Sequence, residues 1–153
     1  MSLQIVKKLF ICTLFFSIIF CLNVNSQEKF LSLKKNKVNV RYGPGFDYEV
    51  KYIYRKINLS VKVIDKKENF RKIIDIKKNS GWIHISQLKK SKSFIATKDK
   101  ILFRKPSLFS KPIPKIQKGR LLLYKKCRKN WCKVSTDKYS GWIQSNNVWG
   151  IIK

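Results

Sequence analysis

His84 is the only histidine in this chain of 153 residues, and general acid–base chemistry requires a positioned partner and a pocket for such a group. It sits two positions after Trp82 in "SGWIHISQL" (80–88), the spacing of neighbours on one face of a strand, and reads as a partly exposed strand residue. The eight acidic residues are scattered: Glu28, Asp47, Glu49, Asp65, Glu68, Asp75, Asp99 and Asp137. Asp47 and Glu49 would share a face in an extended chain, but a solvated turn accounts for them more simply. The sequence holds no Ser–His–acid grouping, no metal-ligand spacing and no phosphate-cradling glycine loop. No catalytic residue, metal site or cofactor is expected, and the chain reads as non-enzymatic.

Two other residue types remain. Cys127 and Cys132 bracket "RKNW" on what reads as a hairpin. Facing residues of antiparallel strands have Cα atoms roughly 4.5–5.5 Å apart, inside the range a disulfide tolerates. A redox-active dithiol would prefer a Cys-x-x-Cys spacing at a helix start. The aromatic residues are the candidates for recognition: Tyr42, Phe46, Tyr48, Tyr52 and Tyr54 cluster in one region, and Trp82 and Trp142 stand in similar contexts sixty positions apart. For Trp82 and Trp142 core filling is the preferred reading, since aromatic rings supply the largest burial per residue. For Tyr42 and Tyr48, which flank a Gly-Pro-Gly turn, core and ligand contact are equal alternatives.

The head of the chain addresses the compartment. Lys7 and Lys8 precede an uncharged apolar run, "LFICTLFFSIIFCL" (9–22), and Val24 and Ser26 stand as the −3 and −1 residues of a cleavage site. Residues 1–26 are expected to form an export signal cleaved after Ser26. The run is shorter than the roughly 20 residues of a bilayer-spanning helix, which disfavours an uncleaved anchor and leaves no transmembrane span in the mature chain. Lipidation at Cys21 is disfavoured by the bulky Phe20 before it. Export to the periplasm or cell envelope makes a persistent Cys127–Cys132 disulfide the natural expectation. The net charge is +27, or +25 once Lys7 and Lys8 leave with the head. That balance favours anionic partners, although an A/T-rich coding sequence would also enrich lysine without any selection for binding.

The chain repeats itself. "LSLKKNKVNVR" (31–41) lies over "FIATKDKILFR" (94–104), pairing Val40 with Phe103 and Arg41 with Arg104; "NFRKI" (69–73) matches "NWCKV" (130–134), and "SGWI" recurs at 80–83 and 140–143. Each copy reads as short strands between turn signals. "LSVKVID" (59–65) alternates Leu59, Val61 and Val63 against Ser60 and Lys62, and "KVNVR", "VKYIY", "FRKIIDI" and "GWIHI" surround it. Five short strands per copy, in a segment near the lower size limit for a self-sufficient core, suit a small β-barrel. The expected organisation is a signal-peptide helix over 1–26, a first domain over 28–90 and a second over 91–153.

In order and composition both copies resemble the bacterial SH3-like domain, often called SH3b. The first shows Asn39, Val40, Arg41, Gly43 and Pro44, then Val61 and Val63, Phe70 where the family has Trp, and Gly81, Trp82 and Ile83, ending at Leu88. The second shows Arg104, Leu121, Leu123, Trp131, Val134, Gly141, Trp142 and Ile143, ending at Val148. The resemblance implies an all-β fold of two tandem SH3-like barrels. It also implies a structural role for a cysteine pair around the same Trp, as in a similar bacterial subfamily. The implied ligands are cell-wall (peptidoglycan) peptides or other envelope partners, held in an aromatic groove for which Tyr42, Phe46, Tyr48, Tyr52 and Trp82 are the candidates. The second copy departs at "RKPSLF" (104–109), where "RYGPGF" (41–46) stood, so its loop is expected to differ in shape. The functional expectation is an exported binding module for wall components or envelope proteins. The alternative is a targeting subunit for a separately encoded wall hydrolase; nucleic-acid binding is disfavoured by export.

Overall fold

The computed structural model describes residues 29–136 and 138–150. The export signal expected over 1–26, with Cys21 and Ser26, lies outside the described residues, as does Asp137. Two antiparallel sheets carry the whole described chain. The first is built from β1 (Lys29–Leu33), β2 (Val38–Arg41), β3 (Val50–Tyr54), β4 (Ser60–Lys67), β5 (Phe70–Ile74), β6 (Ser80–His84) and β7 (Leu88–Lys90). A 3-10 turn, Ile85–Gln87, joins the last two. The second comprises β8 (Ser93–Ala96), β9 (Lys100–Phe103), β10 (Pro112–Ile116), β11 (Leu121–Arg128), β12 (Trp131–Ser135), β13 (Ser140–Gln144) and β14 (Val148–Trp149). Their strand orders are β3-β2-β6-β5-β4-β1-β7 and β10-β9-β13-β12-β11-β8-β14, one topology written twice. Each copy therefore has seven strands where five were expected. In the first copy the additional ones are β1, which inserts between the long hairpin strand and the last strand, and β7, which is too short to show periodicity; β8 and β14 are their counterparts in the second, where β10 also carried no strand signal.

The alternation read in the sequence sets each interior. In the first sheet Leu33, Val38, Val40, Val61, Ile73, Ile83 and Leu88 form one buried cluster. In the second the cluster is Phe94, Leu102, Ile116, Leu122, Cys132, Val134 and Ile143. Local irregularities recur as well. The pairing of β4 with β5 slips between Val63 and Asp65, and that of β11 with β12 between Tyr124 and Lys126. Both hairpins turn through two residues whose first is left-handed, Glu68 (φ 45°) and Lys129 (φ 49°). Duplication thus extends to bulges and turns that a chance sequence echo would not reproduce.

The ladder also corrects the alignment of the copies. Arg41 stands opposite Trp82, but the residue opposite Trp142 is Phe103, not Arg104. A Cβ on Gly81 would strike Val40, and one on Gly141 would lie 2.7 Å from Leu102 Cγ, so Leu102 takes the place of Val40. The cause is a shorter turn before β9: three residues separate β8 from β9, against four between β1 and β2. The slip moves Lys100 to the core position of Val38. It is 9 % exposed and donates to the Gln144 carbonyl (3.1 Å) and Asn146 Oδ1 (2.9 Å). The hydrogen bonds offset the cost of burying an ammonium.

Between the sheets lies a buried polar seam. Ser32, Ser60, Ser91 and Ser93 are all buried, and their hydroxyls interlock: Ser32 Oγ lies 2.8 Å from Ser93 Oγ, and Ser60 Oγ 2.9 Å from it. Ser60 Oγ donates to the Ser93 carbonyl (2.7 Å), Ser93 Oγ to the Asn58 carbonyl (2.6 Å) and the Tyr124 hydroxyl to the Ser91 carbonyl (2.8 Å). Trp149 closes the seam from the C-terminal end. Its indole Nε1 donates to the Ser60 carbonyl (3.1 Å) and its ring meets Phe30 edge-on at 5.1 Å. Gly150 follows at φ 122°, a conformation open to glycine, and a Cβ there would lie 2.7 Å from Ser60 Oγ. Replacing Trp149 by Ala removes one hydrogen bond and a half-buried ring, a loss of about 2 kcal/mol. In urea unfolding, Trp149→Ala is expected to separate one transition into two as the repeats uncouple; an unchanged single transition would show that the seam does not join them.

Candidate functional site

The candidate residues of the first repeat divide between two faces of its sheet. Arg41, Trp82 and Lys72 are ladder partners, as are Phe70 and His84, and this outer face carries the aromatic cluster. The loop 42–49 folds back over it. Arg41 Nη1 donates to the carbonyls of Phe46 (3.2 Å) and Tyr48 (2.6 Å), and its guanidinium lies 5.5 Å from the Phe46 ring centroid. Phe46 meets Phe70 at 5.2 Å and His84 at 5.0 Å, and those two rings meet each other at 5.1 Å. Phe70 is buried beneath them while Phe46 remains 65 % exposed. The glycines of "YGPG" serve this fold-back directly, because a side chain at position 43 would collide with the Tyr48 ring. Tyr42 is exposed beneath the Lys51 ammonium, 5.5 Å from its ring centroid, and that ammonium also donates to the Ser80 carbonyl (3.2 Å).

Tyr52 does not join this cluster. It stands opposite Val40 and packs against the interior, with its hydroxyl 3.4 Å from that of Tyr54. The Tyr54 hydroxyl donates to Asp75 Oδ2 (3.0 Å), and the buried Asp75 carboxylate also accepts from the amides of Lys77 and Asn79. Burial raises the pKa of Tyr54 far above the ordinary phenol value, and the neighbouring Tyr52 hydroxyl and Asp75 act in the same direction. Burial also raises that of Tyr52, against an opposing hydrogen bond from Tyr54. His84, set aside on sequence grounds, is the member the sequence reasoning missed. It lies in the aromatic cluster, and its Nδ1 is 2.8 Å from Ser86 Oγ. Its spacing from Trp82 was the available signal, since i and i+2 share a face.

The second repeat builds the same face differently. Phe103, in the place of Arg41, meets Trp131 edge-on at 5.6 Å, while Trp142 is buried with the Lys126 ammonium 5.9 Å from its ring. Arg104, read as the motif arginine, is instead the first residue of the loop and is exposed. Cys127 and Cys132 are ladder partners and form a disulfide, with Cα atoms 4.0 Å apart. In the first repeat the same rung carries Lys66 and Arg71. The bridge ties the hairpin next to Trp131.

Between the repeats a cleft of about 720 Å³ opens beside the seam. Arg55, Lys56, Lys118 and Arg120 line it together with Asn58 and Thr136, and no described carboxylate does. Asp99, nearby, is engaged by Lys115 (2.8 Å) and by the Lys118 amide (2.7 Å), which hold its pKa below the ordinary carboxylate value.

The sequence profile of the bacterial SH3 domain matches residues 34–90 and again residues 98–150, in register with the two sheets. The chain belongs to the bacterial SH3 domain family. The two sheets are accordingly tandem SH3-like barrels. Among solved structures, NlpC2 from Trichomonas vaginalis is similar at 15 % identity over 80 % of this chain and 48 % of its own, with a TM-score of 0.37. NlpC1 from the same organism is similar at 13 % identity over 82 % of this chain and 47 % of its own, also at 0.37. The chain spans about half the length of these solved relatives. No curated protein matches it.

Two measurements follow from this geometry. A double-mutant cycle of Phe46→Ala and Phe70→Leu in urea unfolding is expected to give a coupling energy of about 1 kcal/mol, the size of an aromatic pair; additive effects would mean that the loop does not rest on the outer face. The second concerns pH. The folded chain keeps Tyr52 and Tyr54 protonated above the pH, about 10, at which the unfolded chain releases those protons, so stability falls as pH rises through that value. Tyr54→Phe is expected to flatten that alkaline loss, read as denaturation midpoint against pH.

Proposed function

We propose that the protein is an exported, non-enzymatic binding module of the cell envelope that recognises peptidoglycan or other anionic envelope components. The observation that carries this reading is the pre-formed aromatic surface of the first barrel. Arg41 and the packing of Tyr48 over Gly43 hold the loop in place, so that Tyr42, Phe46 and Tyr48 are presented to solvent at 63 %, 65 % and 44 % exposure. Such a surface binds an extended peptide or sugar chain without paying first to order itself. The cationic cleft between the barrels supports a preference for carboxylate- or phosphate-bearing ligands, because guanidinium groups recognise both through paired hydrogen bonds. The Cys127–Cys132 disulfide supports an oxidising compartment, in keeping with export and cleavage after Ser26.

The test is co-sedimentation of the mature chain with purified peptidoglycan sacculi at moderate salt. The chain is expected to pellet with sacculi, and Tyr42→Ala to weaken binding by about tenfold while leaving the far-ultraviolet circular dichroism unchanged. If the chain neither pelleted with sacculi nor captured an envelope protein under those conditions, the reading would fail.

A further inference from the structure

The loops that follow β2 and β9 are the same loop by length and closure. The Tyr42 amide donates to the Glu49 carbonyl and the Arg104 amide to the Lys111 carbonyl, each at 3.2 Å, so each bond spans eight residues, "YGPGFDYE" and "RKPSLFSK". They share only the proline. The first carries Asp47 and Glu49 and no cation; the second carries Arg104, Lys105 and Lys111 and no acid.

Their apolar side chains also go to opposite places. In the first loop Phe46 turns back onto Phe70 and His84. In the second, Phe103 meets Trp131 from the strand, and Phe109 does not fold back onto that pair. Phe109 is fully exposed (101 %) and Leu108 is 61 % exposed. The tip that displays them is built by hydrogen bonds. The Phe109 amide donates to Ser107 Oγ (3.2 Å), the Ser110 amide to the Ser107 carbonyl (3.2 Å) and the Lys105 amide to Ser110 Oγ (2.9 Å).

We propose that the loop Arg104–Lys111 is a membrane-surface anchor, with Leu108 and Phe109 inserting at the acyl boundary and Arg104, Lys105 and Lys111 meeting anionic lipid headgroups. A fully exposed Phe109 beside a mostly exposed Leu108 is unfavourable unless a nonpolar phase receives them, and a collar of cations at their base matches the charge of a phosphate-bearing leaflet. The net charge of the chain strengthens attraction to such a surface, while the apolar tip supplies the part of the binding that salt does not screen. This anchor is independent of the sacculus-binding reading: it uses a loop of the second barrel and none of the aromatic residues of the first.

The experiment is co-sedimentation of the mature chain with vesicles of phosphatidylcholine alone and of phosphatidylcholine containing one-third phosphatidylglycerol. The wild-type chain is expected to partition onto the anionic vesicles only. Phe109→Ala is expected to lower the partition coefficient by about tenfold or more, with the thermal midpoint unchanged because the ring touches no core. Lys66→Gln with Lys67→Gln, a remote pair of cations in the first barrel, separates general charge attraction from the loop and is expected to have a smaller effect. The proposal is overturned if the wild-type chain ignores anionic vesicles, if Phe109→Ala binds as wild type, or if the remote pair weakens binding as much as Phe109→Ala. Loss of a captured protein partner upon Phe109→Ala, without vesicle binding by the wild type, would likewise overturn it in favour of a protein-docking loop. Sacculus binding by Phe109→Ala is expected to match wild type, so either reading can fail without the other.

Discussion

Buried hydroxyl groups must be hydrogen-bonded, and the arrangement of the two barrels follows from how Ser32, Ser60, Ser91 and Ser93 meet that requirement. Ser91 donates locally to the Ser93 carbonyl, while Ser32, Ser60 and Ser93 bond across the junction. Ser32 and Ser60 belong to the first barrel, Ser93 to the second and Ser91 to the short connection, and they bond chiefly to one another and to the carbonyls of Ser93 and Asn58. Directional bonds of this kind specify an orientation in a way that an apolar contact does not. The seam is also what makes the cationic cleft a cleft, since Arg55 and Lys56 come from one barrel and Lys118 and Arg120 from the other.

Within this frame the two copies have diverged through a single structural event with several consequences. A turn shortened by one residue carries Phe103 into the position that Arg41 holds in the first barrel. An arginine there organises the following loop by donating to its carbonyls and lying against Phe46. A phenylalanine there instead packs on Trp131 and offers the loop no donor. The loop is then free to carry a different composition, which is where the change from acidic and aromatic to basic and aliphatic-aromatic is found. The disulfide beside Trp131 belongs to the same divergence: it secures a hairpin that in the first barrel lies under the folded-back loop.

The surfaces available for binding are therefore outer faces and loops, while the small interiors are filled mainly by aliphatic side chains, with Phe94 in the second. This division explains why Tyr52 and Phe46, six residues apart and similar in character, have unrelated roles. The bulge around Lys51 and the pairing of Tyr52 with Val40 direct one ring inward, and the fold-back over Arg41 directs the other out.

The sequence by itself determined the fold class, the duplication, the disulfide and the identity of most interior positions. These depend on local signals: period-2 alternation, turn residues, and a cysteine pair spaced for a hairpin. Tertiary structure alone decided three matters. It placed Ser60, which alternation assigns to the solvent face, at 0 % exposure, because the second barrel covers that face and no strand pattern encodes a neighbouring domain. It set the register at Phe103, because a one-residue change in a turn shifts the side chains of the strand that follows to the opposite face from the one residue matching assigns. And it separated the aromatic residues into core and surface, because a ring's destination depends on what already occupies the space beneath it.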